Sequence, residues 1–436
     1  MEKKRILVAN KFYYPRGGDC IVAMNLERLL KDKGHDVAVF AMDYSENIDS
    51  GWNKYYASQV EMTGGVLSKI HAFKRIMGYG DIKAAFNKIL DDFKPDIVHL
   101  HNIHSYLSPV LAQLAKKRGC KVVWTLHDYK LVCPSYACLL NEKPCERCIG
   151  HSKTHVLKNR CMKGSLAASA MAWLEAQKWK RNKLEEVADA FICPSEFMAS
   201  KMKKDGFNPE KLHVVCNHID PEKLESMHNA ATPSLDLLSA ESRSRGEKII
   251  KTPQLPNSVD LNNGDSKAIP NREDYYVYVG RLSPEKGVET LLDVASKLPF
   301  TLKIAGDGPM LDQLKQQYSE NHNIEFCGRL DARQVAELLC KARFSVMPSE
   351  CYDNNPLGVI ESLCAGTPVV GARIGGIPEL LDENNGMAFT SGDRNELAHA
   401  IKAAFEKKWD NNAIKDVAIS DFSAEKHLRL IEEIYQ

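Results

Sequence analysis

The chain has 436 residues, 44% hydrophobic and 26% charged, with 26 Gly, 19 Pro, 13 Cys and a formal net charge of +1. These proportions exclude a collagen-like repeat, a wholly disordered chain and a disulfide scaffold, and at about 100–200 residues per domain the length predicts two domains. The near-neutral total hides an asymmetry: residues 1–217 hold 34 Lys+Arg against 23 Asp+Glu, a balance of +11, and the remainder stands at −10. The front half therefore fits an anionic partner, phosphate or an acidic membrane surface, or else presents an ordinary solvated basic face.

Met1-Glu2-Lys3-Lys4-Arg5 leads into an apolar run of only four residues, Ile6 to Ala9. A signal peptide needs about 7–15 apolar residues there and a membrane span about 20, so a soluble, cytoplasmic protein is expected. The run itself predicts a strand at 5–9. A helix over 19–33 follows, carrying Ile21, Val22, Met24, Leu26, Leu29 and Leu30, with Gly34 ending it and a strand at 36–41 after it. Further strands are predicted at 96–100, 121–126, 190–193 and 212–215, and helices near 80–93, 105–118, 165–187 and 195–205. The back half repeats the rhythm, with strands near 275–280, 300–305, 323–327, 343–347 and 367–371 separated by helices. Strand and helix alternating at this spacing predict an α/β protein with parallel sheets and right-handed crossovers, in two Rossmann-like domains.

The domains divide as 1–217, then a hinge and insertion over 218–272, then 273–410, then a terminal segment over 411–436. Residues 230–272 are Ser, Pro, Asn and charges without apolar period, the signature of a flexible insertion. The terminal helix, 422–436, carries Phe422, Leu428, Ile431 and Ile434 at helical spacing and must dock, with the front domain as one candidate.

Three loops at strand ends carry chemistry. Tyr14-Pro15-Arg16-Gly17-Gly18-Asp19 joins the first strand to its helix, and a glycine pair there lets backbone N–H groups approach a phosphate, although a plain tight turn reads the same way. Val279-Gly280-Arg281-Leu282-Ser283-Pro284-Glu285-Lys286-Gly287 follows a back-half strand, and Arg281 and Lys286 fit a diphosphate gripped from two sides. The third string is Pro348-Ser349-Glu350-Cys351-Tyr352-Asp353-Asn354-Asn355-Pro356-Leu357-Gly358-Val359-Ile360-Glu361. It places Asp353 and the amides of Asn354, Asn355, Pro356 and Leu357 at the carboxyl end of a strand, where open α/β sheets bind ligands. Glu361, one helical turn further, suits two ribose hydroxyls; a capping acid and a solvated glutamate are the bland alternatives.

This string resembles the E-x7-E region of glycosyltransferase family 4, the retaining transferases of GT-B fold that use nucleotide sugars. Further resemblances lie in order: Gly34-His35-Asp36-Val37, Asp96-Ile97-Val98-His99-Leu100-His101-Asn102, Trp124-Thr125-Leu126-His127-Asp128-Tyr129, Gly306-Asp307-Gly308-Pro309, Phe326-Cys327-Gly328-Arg329 and Gly375-Gly376-Ile377-Pro378-Glu379. The resemblance implies that Gly17 and Gly18 lie by the donor phosphates, that Arg281 and Lys286 bind the diphosphate and stabilise the leaving nucleotide, and that Glu361 takes the ribose. It implies that Asp353 and His127 hold the transferred sugar from opposite sides, and that Arg329 lies near the base. No metal or cofactor is implied for the chemistry, because cations and helix dipoles replace it. The implied partners are a nucleotide-diphosphate sugar and a glycan or lipid-linked acceptor of the cell envelope, with no nucleic acid. A nucleotide-sugar epimerase and a non-catalytic sugar-nucleotide-binding partner are the rival readings.

Two positions depart from the pattern. The first acid of E-x7-E is Asp353, one methylene short, with Glu350 as fallback, and the interdomain Asn217-His218-Ile219-Asp220 has His218 where the pattern has glycine. Between the domains' motifs, Cys133, Cys138, Cys145, Cys148 and Cys161 fall within 29 residues. Cys145 and Cys148 form C-x2-C, and with Cys133 and Cys161 they make four candidate thiolates for a structural zinc, buried reduced cysteines being the alternative. Residues 151–183 hold eight Lys/Arg against one Glu, interleaved with Trp173 and Trp179, a pattern that fits peripheral contact with an anionic membrane or a solvated helix whose tryptophans enter the core.

Overall fold

The computed structural model describes residues 2–61, 65–230 and 272–436. The insertion expected at 230–272 thus lies almost wholly outside the described residues. The rest forms two sheets of six strands, each wholly parallel. The front sheet is built from β1 (Arg5–Ala9), β2 (Asp36–Phe40), β3 (Ile97–Leu100), β4 (Lys121–Thr125), β7 (Ala190–Cys193) and β8 (Leu212–Val214), in the order β2-β1-β3-β4-β7-β8. A small hairpin, β5 (Leu139–Leu140) with β6 (Lys143–Pro144), stands apart in the cysteine-rich segment. The back sheet contains β9 (Tyr275–Val279), β10 (Thr301–Ala305), β11 (Ile324–Gly328), β12 (Ser345–Met347), β13 (Val369–Ala372) and β14 (Gly386–Phe389), in the order β11-β10-β9-β12-β13-β14.

Both sheets are covered on both faces, which is why their strands read as near-continuous apolar runs rather than alternating ones. In β1, Leu7 and Ala9 join Phe40, Phe86, Leu100, Trp124 and Phe191 on one side. Ile6 and Val8 join Leu26, Leu30, Val37 and Ile192 on the other. That second face is completed by the last helix, Ala424–Tyr435, through Leu428, Ile431, Ile434 and Tyr435. Two polar contacts fix the helix there: the Tyr435 hydroxyl lies 2.5 Å from His99 Nδ1, and Glu432 Oε1 lies 3.0 Å from His35 Nε2. The chain therefore crosses between domains twice, and the crossings run side by side, with Ile219 N donating to Phe422 O at 2.9 Å and His427 Nδ1 2.8 Å from Cys216 O.

Several elements depart from the sequence expectation. The helix expected over 105–118 spans only Val110–Lys117, because Ser105 and Ser108 take left-handed φ of 60° and 72°. The one expected over 165–187 is two, Leu166–Lys178 and Arg181–Val187. The break is at Trp179, which leaves helical geometry to bury its ring and donate from Nε1 to Ile76 O at 3.2 Å. Helix Val66–Ile76 and the short edge strand β14 were not anticipated. His218 does not share the left-handed conformation that a glycine would favour; its ring packs on His427, centroids 4.5 Å apart. Among the described residues no helix is long and apolar enough to cross a membrane.

Candidate active site in the interdomain crevice

In each sheet the connection changes direction beside the first strand, between β1 and β3 and between β9 and β12. A crevice opens beyond the strand ends at such a switch point, and ligands of open α/β sheets bind there. Here the two crevices face each other. The motif loops occupy them: 10–18 and 101–109 in front, 280–287 and 348–356 behind.

The back loops are fused by close approach. Gly287 has φ +67°, and a Cβ on it would stand 2.0 Å from Pro348 O, so only glycine lets the loop after β9 lie against the loop after β12. That contact brings Lys286 Nζ to 2.6 Å from Asp353 Oδ1, while Ser349 Oγ donates to Asp353 Oδ2 at 2.6 Å. Burial works against the Lys286 charge, but the Asp353 carboxylate outweighs it and raises the ammonium's pKa. Gly375 and Gly376 support the same loop from beneath: Gly376 N donates to Asp353 O at 2.7 Å, and Cβ atoms there would strike Asp353 O and Asn354 O at 2.3 and 1.8 Å. Arg281 is exposed in the crevice loop, and its guanidinium has no hydrogen-bond or ion-pair partner among the described residues.

Across the crevice, Gly18 opens helix Gly18–Asp32, and a Cβ there would lie 4.0 Å from Leu357 Cδ1, the first residue of helix Leu357–Cys364. Two helix N-termini, with their unpaired N–H groups, thus converge from opposite domains. Asp19, in the first turn, accepts from Asn102 Nδ2 at 2.9 Å and lies 3.5 Å from Lys11 Nζ. Burial opposes its charge, yet Lys11 and His127 hold the carboxyl below its usual range. His127 is pushed down to about 4 by burial, so it is neutral at pH 7. Its Nε2 lies 2.9 Å from His101 Nδ1, and its backbone oxygen accepts from Asn354 Nδ2 at 2.9 Å, a bond between the domains.

Side by side in the fold are thus Gly18 with Leu357, Lys286 with Asp353, and Asn354 with the His127 carbonyl, while Gly17, Arg281 and Pro356 adjoin them along the chain. Asn355 is spent elsewhere: its Oδ1 accepts from Asn217 N at 2.9 Å and its backbone oxygen from Asn217 Nδ2 at 2.9 Å, tying the hinge to the loop after β12. Glu361 is buried on its helix with Oε1 ion-paired to Lys223. Glu350 turns away, accepting from Thr290 Oγ1 at 2.6 Å, so the nearer acid is Asp353. Arg329 follows β11, the edge strand, and is exposed.

Further contacts that the motifs did not announce cluster at the domain boundary. Tyr352 donates to Glu146 Oε1 at 3.0 Å, and Lys201 and Lys204 hold the same carboxylate at 2.5 and 2.6 Å. Burial opposes the Glu146 charge, but these three partners hold its pKa down to about 2. Glu379 accepts from Glu196 N and Phe197 N at 2.7 and 2.6 Å, capping helix Glu196–Lys204 of the front domain from the back domain. The acid at the end of Gly375-Gly376-Ile377-Pro378-Glu379 was visible in sequence; its partner was not.

The four candidate thiols for zinc are neighbours: on top of burial, Cys133, Cys161 and Cys145 all act to raise the Cys148 thiol, and Cys133 and Cys145 the Cys161 thiol. Among the described residues no group of three or more His, Cys, Asp or Glu stands in ligating arrangement. Cys133 lies 3.2 Å from Ser135 Oγ and shares a hydrogen bond with Cys138, which draws the Cys133 thiol down to about 6. Of the two readings of the basic 151–183 segment, the tryptophans follow the one in which they enter the core, Trp179 being buried and the Nε1 of Trp173 enclosed.

Residues 16–223 match the family model described as Glycosyltransferase Family 4, and residues 261–420 match that for Glycosyl transferases group 1. An uncharacterised 42.6 kDa protein in the cps region of Klebsiella pneumoniae is 25% identical over 392 residues, covering 86% of this chain and 87% of its own. A putative teichuronic acid biosynthesis glycosyltransferase of Bacillus subtilis is 29% identical over 174 residues, 38% of this chain and 43% of its own. The chain spans 42% and 26% of the lengths of two other relatives that it matches. Among solved structures, Anabaena HepE in complex with UDP and glucose superposes with a TM-score of 0.60 at 16% identity, covering 99% of this chain and 98% of the other. The two facing domains are thus those of the GT-B fold, and the chain belongs to the family 4 glycosyltransferases of the group 1 type.

Proposed function

We propose that this protein is a retaining glycosyltransferase that moves a sugar from a nucleoside-diphosphate donor to a hydroxyl of a glycan or lipid-linked acceptor, in cell-envelope polysaccharide assembly. The observation that carries the reading is the Lys286–Asp353 pair at the back crevice with the unpaired Arg281 beside it. Two cations and two converging helix N-termini suit a diphosphate. As the bond from the sugar's anomeric carbon to the phosphate oxygen breaks, negative charge grows on that oxygen, and Arg281 and Lys286 stabilise it more than they stabilise the intact donor. The acceptor oxygen bonds to the same face of the anomeric carbon, and its proton passes to the departing phosphate. Asp353 and neutral His127 orient the sugar's hydroxyls, and Glu361 takes the ribose. The UDP and glucose bound by the Anabaena neighbour support a nucleotide-sugar donor, and the teichuronic acid relative supports the pathway.

Thermal unfolding with UDP, GDP, ADP and NAD tests the donor. One nucleoside diphosphate at 100 times its Kd should add about 2.7 kcal/mol of stability. Asp353→Ala should keep that shift while losing both transfer and the slow hydrolysis of the sugar nucleotide. Unchanged turnover in Asp353→Ala, or a melt that only NAD shifts, overturns the proposal.

A further inference from the structure

Helix Val66–Ile76 lies on the front domain, ends at the Ile76 carbonyl that receives Trp179 Nε1, and has the sequence VLSKIHAFKRI without an acidic residue. Its inner side is made by buried Ala72, Arg75 and Ile76. Arg75 is spent internally, donating to Asp81, Ser58 and Tyr106. A surface helix normally turns polar groups outward. This one does the reverse, with Leu67, Ile70 and Phe73 exposed by 82%, 47% and 38%. At 3.6 residues per turn, Leu67, Lys74, Ile70, Phe73 and Lys69 follow one another around an outward arc of about 160°. The arc is thus three apolar side chains with a lysine at one rim and another among them.

The neighbouring surface continues the pattern. Tyr79, just beyond the helix, is 53% exposed, and the ammonium groups of Lys83 and Lys178 lie 5.2 and 4.8 Å from its ring centre. Lys178 is the last residue of helix Leu166–Lys178 and its only cation, and it brings one charge of the basic 151–183 segment to this surface. Groups facing the arc that could neutralise it are few: Asp81 is engaged by Arg75, and His71 lies 3.9 Å from the same carboxylate.

From this combination we infer that helix Val66–Ile76 is a membrane-docking surface that lays Leu67, Ile70 and Phe73 into the interface of an anionic bilayer, with Lys69, Lys74, Lys83 and Lys178 on lipid phosphates. Apolar side chains ringed by lysines, lying on a helix too short to span, are what interfacial binding requires. The occupant is a lipid surface rather than a second copy of the chain because Lys69, Lys74, Lys83 and Lys178 stand at the rim against one carboxylate, Asp81, already paired to Arg75, and two such rims would repel each other. This deepens the proposed function only in its acceptor, since a lipid-linked acceptor would be met at that surface; the binding itself stands apart from catalysis.

Vesicle sedimentation of the full chain tests it. With phosphatidylglycerol-containing vesicles the protein should pellet at low salt, release progressively as salt rises, and ignore pure phosphatidylcholine. The triple variant Leu67→Ser, Ile70→Ser, Phe73→Ser should lower the partition coefficient at least about tenfold while a cooperative melt shows the fold kept, since none of the three belongs to the buried core. Lys69→Gln with Lys74→Gln should lower it severalfold and flatten the salt dependence. Equal pelleting of wild type and triple variant overturns the assignment, as does absence of binding. A concentration-dependent dimer abolished by the triple variant, without vesicle binding, also overturns it. The melt shift with nucleoside diphosphate is read on the same proteins in solution, so failure of docking and failure of the transferase reading are distinguishable.

Discussion

At Lys286 and Gly287 a single peptide settles the geometry of the crevice. Gly287 is left-handed and lies under the Pro348 carbonyl, and its neighbour Lys286 is delivered to Asp353 as a result. An alanine at 287 meets both a backbone oxygen and an unfavourable φ, so Gly287→Ala should cost about 1–3 kcal/mol of stability and separate the two loops. Activity should then fall far more than the melt. Unfolding midpoints and kcat/KM measured side by side check this, and equal activity per folded molecule would contradict it. At this scale the sequence showed the glycines, the two cations and the acidic string, because each is a short local pattern with a chemical reason. It did not show Ser349 or Lys223 as partners of Asp353 and Glu361. Lys223 lies 138 positions from Glu361, and no periodicity links a surface lysine to a buried carboxylate that far away.

At the scale of elements, the back domain reaches over to cap a helix of the front domain. Glu379 satisfies two N–H groups of helix Glu196–Lys204, which would otherwise be unpaired at its positive end. Glu379→Gln should lower stability by about 1 kcal/mol and loosen the pairing of domains. Small-angle scattering should report a larger radius of gyration for the variant without nucleotide, and an unchanged radius would mean that the other boundary contacts suffice. The strands and most helices were legible because buried parallel strands and amphipathic helices leave strong patterns. The exceptions have separate causes. Helix Val66–Ile76 keeps a helical apolar period in Leu67, Ile70 and Phe73 but is only 11 residues long, and nothing in that period tells that the apolar side faces outward. The 165–187 helix was joined in error because the break at Trp179 is made by a tertiary hydrogen bond to Ile76, not by glycine or proline.

For the molecule as a whole, buried imidazoles set the response to acid. Burial pushes His99 and His218 down to about 3 and His127 and His427 down to about 4, against about 6.5 in the unfolded chain. Below pH 6.5 the unfolded chain therefore binds protons that the folded protein refuses. Stability is full above that value and falls as pH drops towards 4, by as much as about 1.4 kcal/mol per pH unit for each histidine. Urea midpoints at pH 7, 6 and 5 should decline in that order, and a flat profile would show that these rings are solvated.

The two crossings of the hinge give the domains unequal standing during synthesis. The described residues between Asp220 and Phe422 belong to the back domain, whereas the front domain owns residues on either side of that stretch. The face formed by Ile6, Val8, Leu26, Leu30 and Val37 is thus made early and covered late, by Leu428, Ile431 and Ile434. At about 5–20 residues per second, that apolar face waits for about 10–40 s while the back domain is translated. A ribosome that stalls between the domains holds a front half with an open flank, the state in which a chaperone would find it.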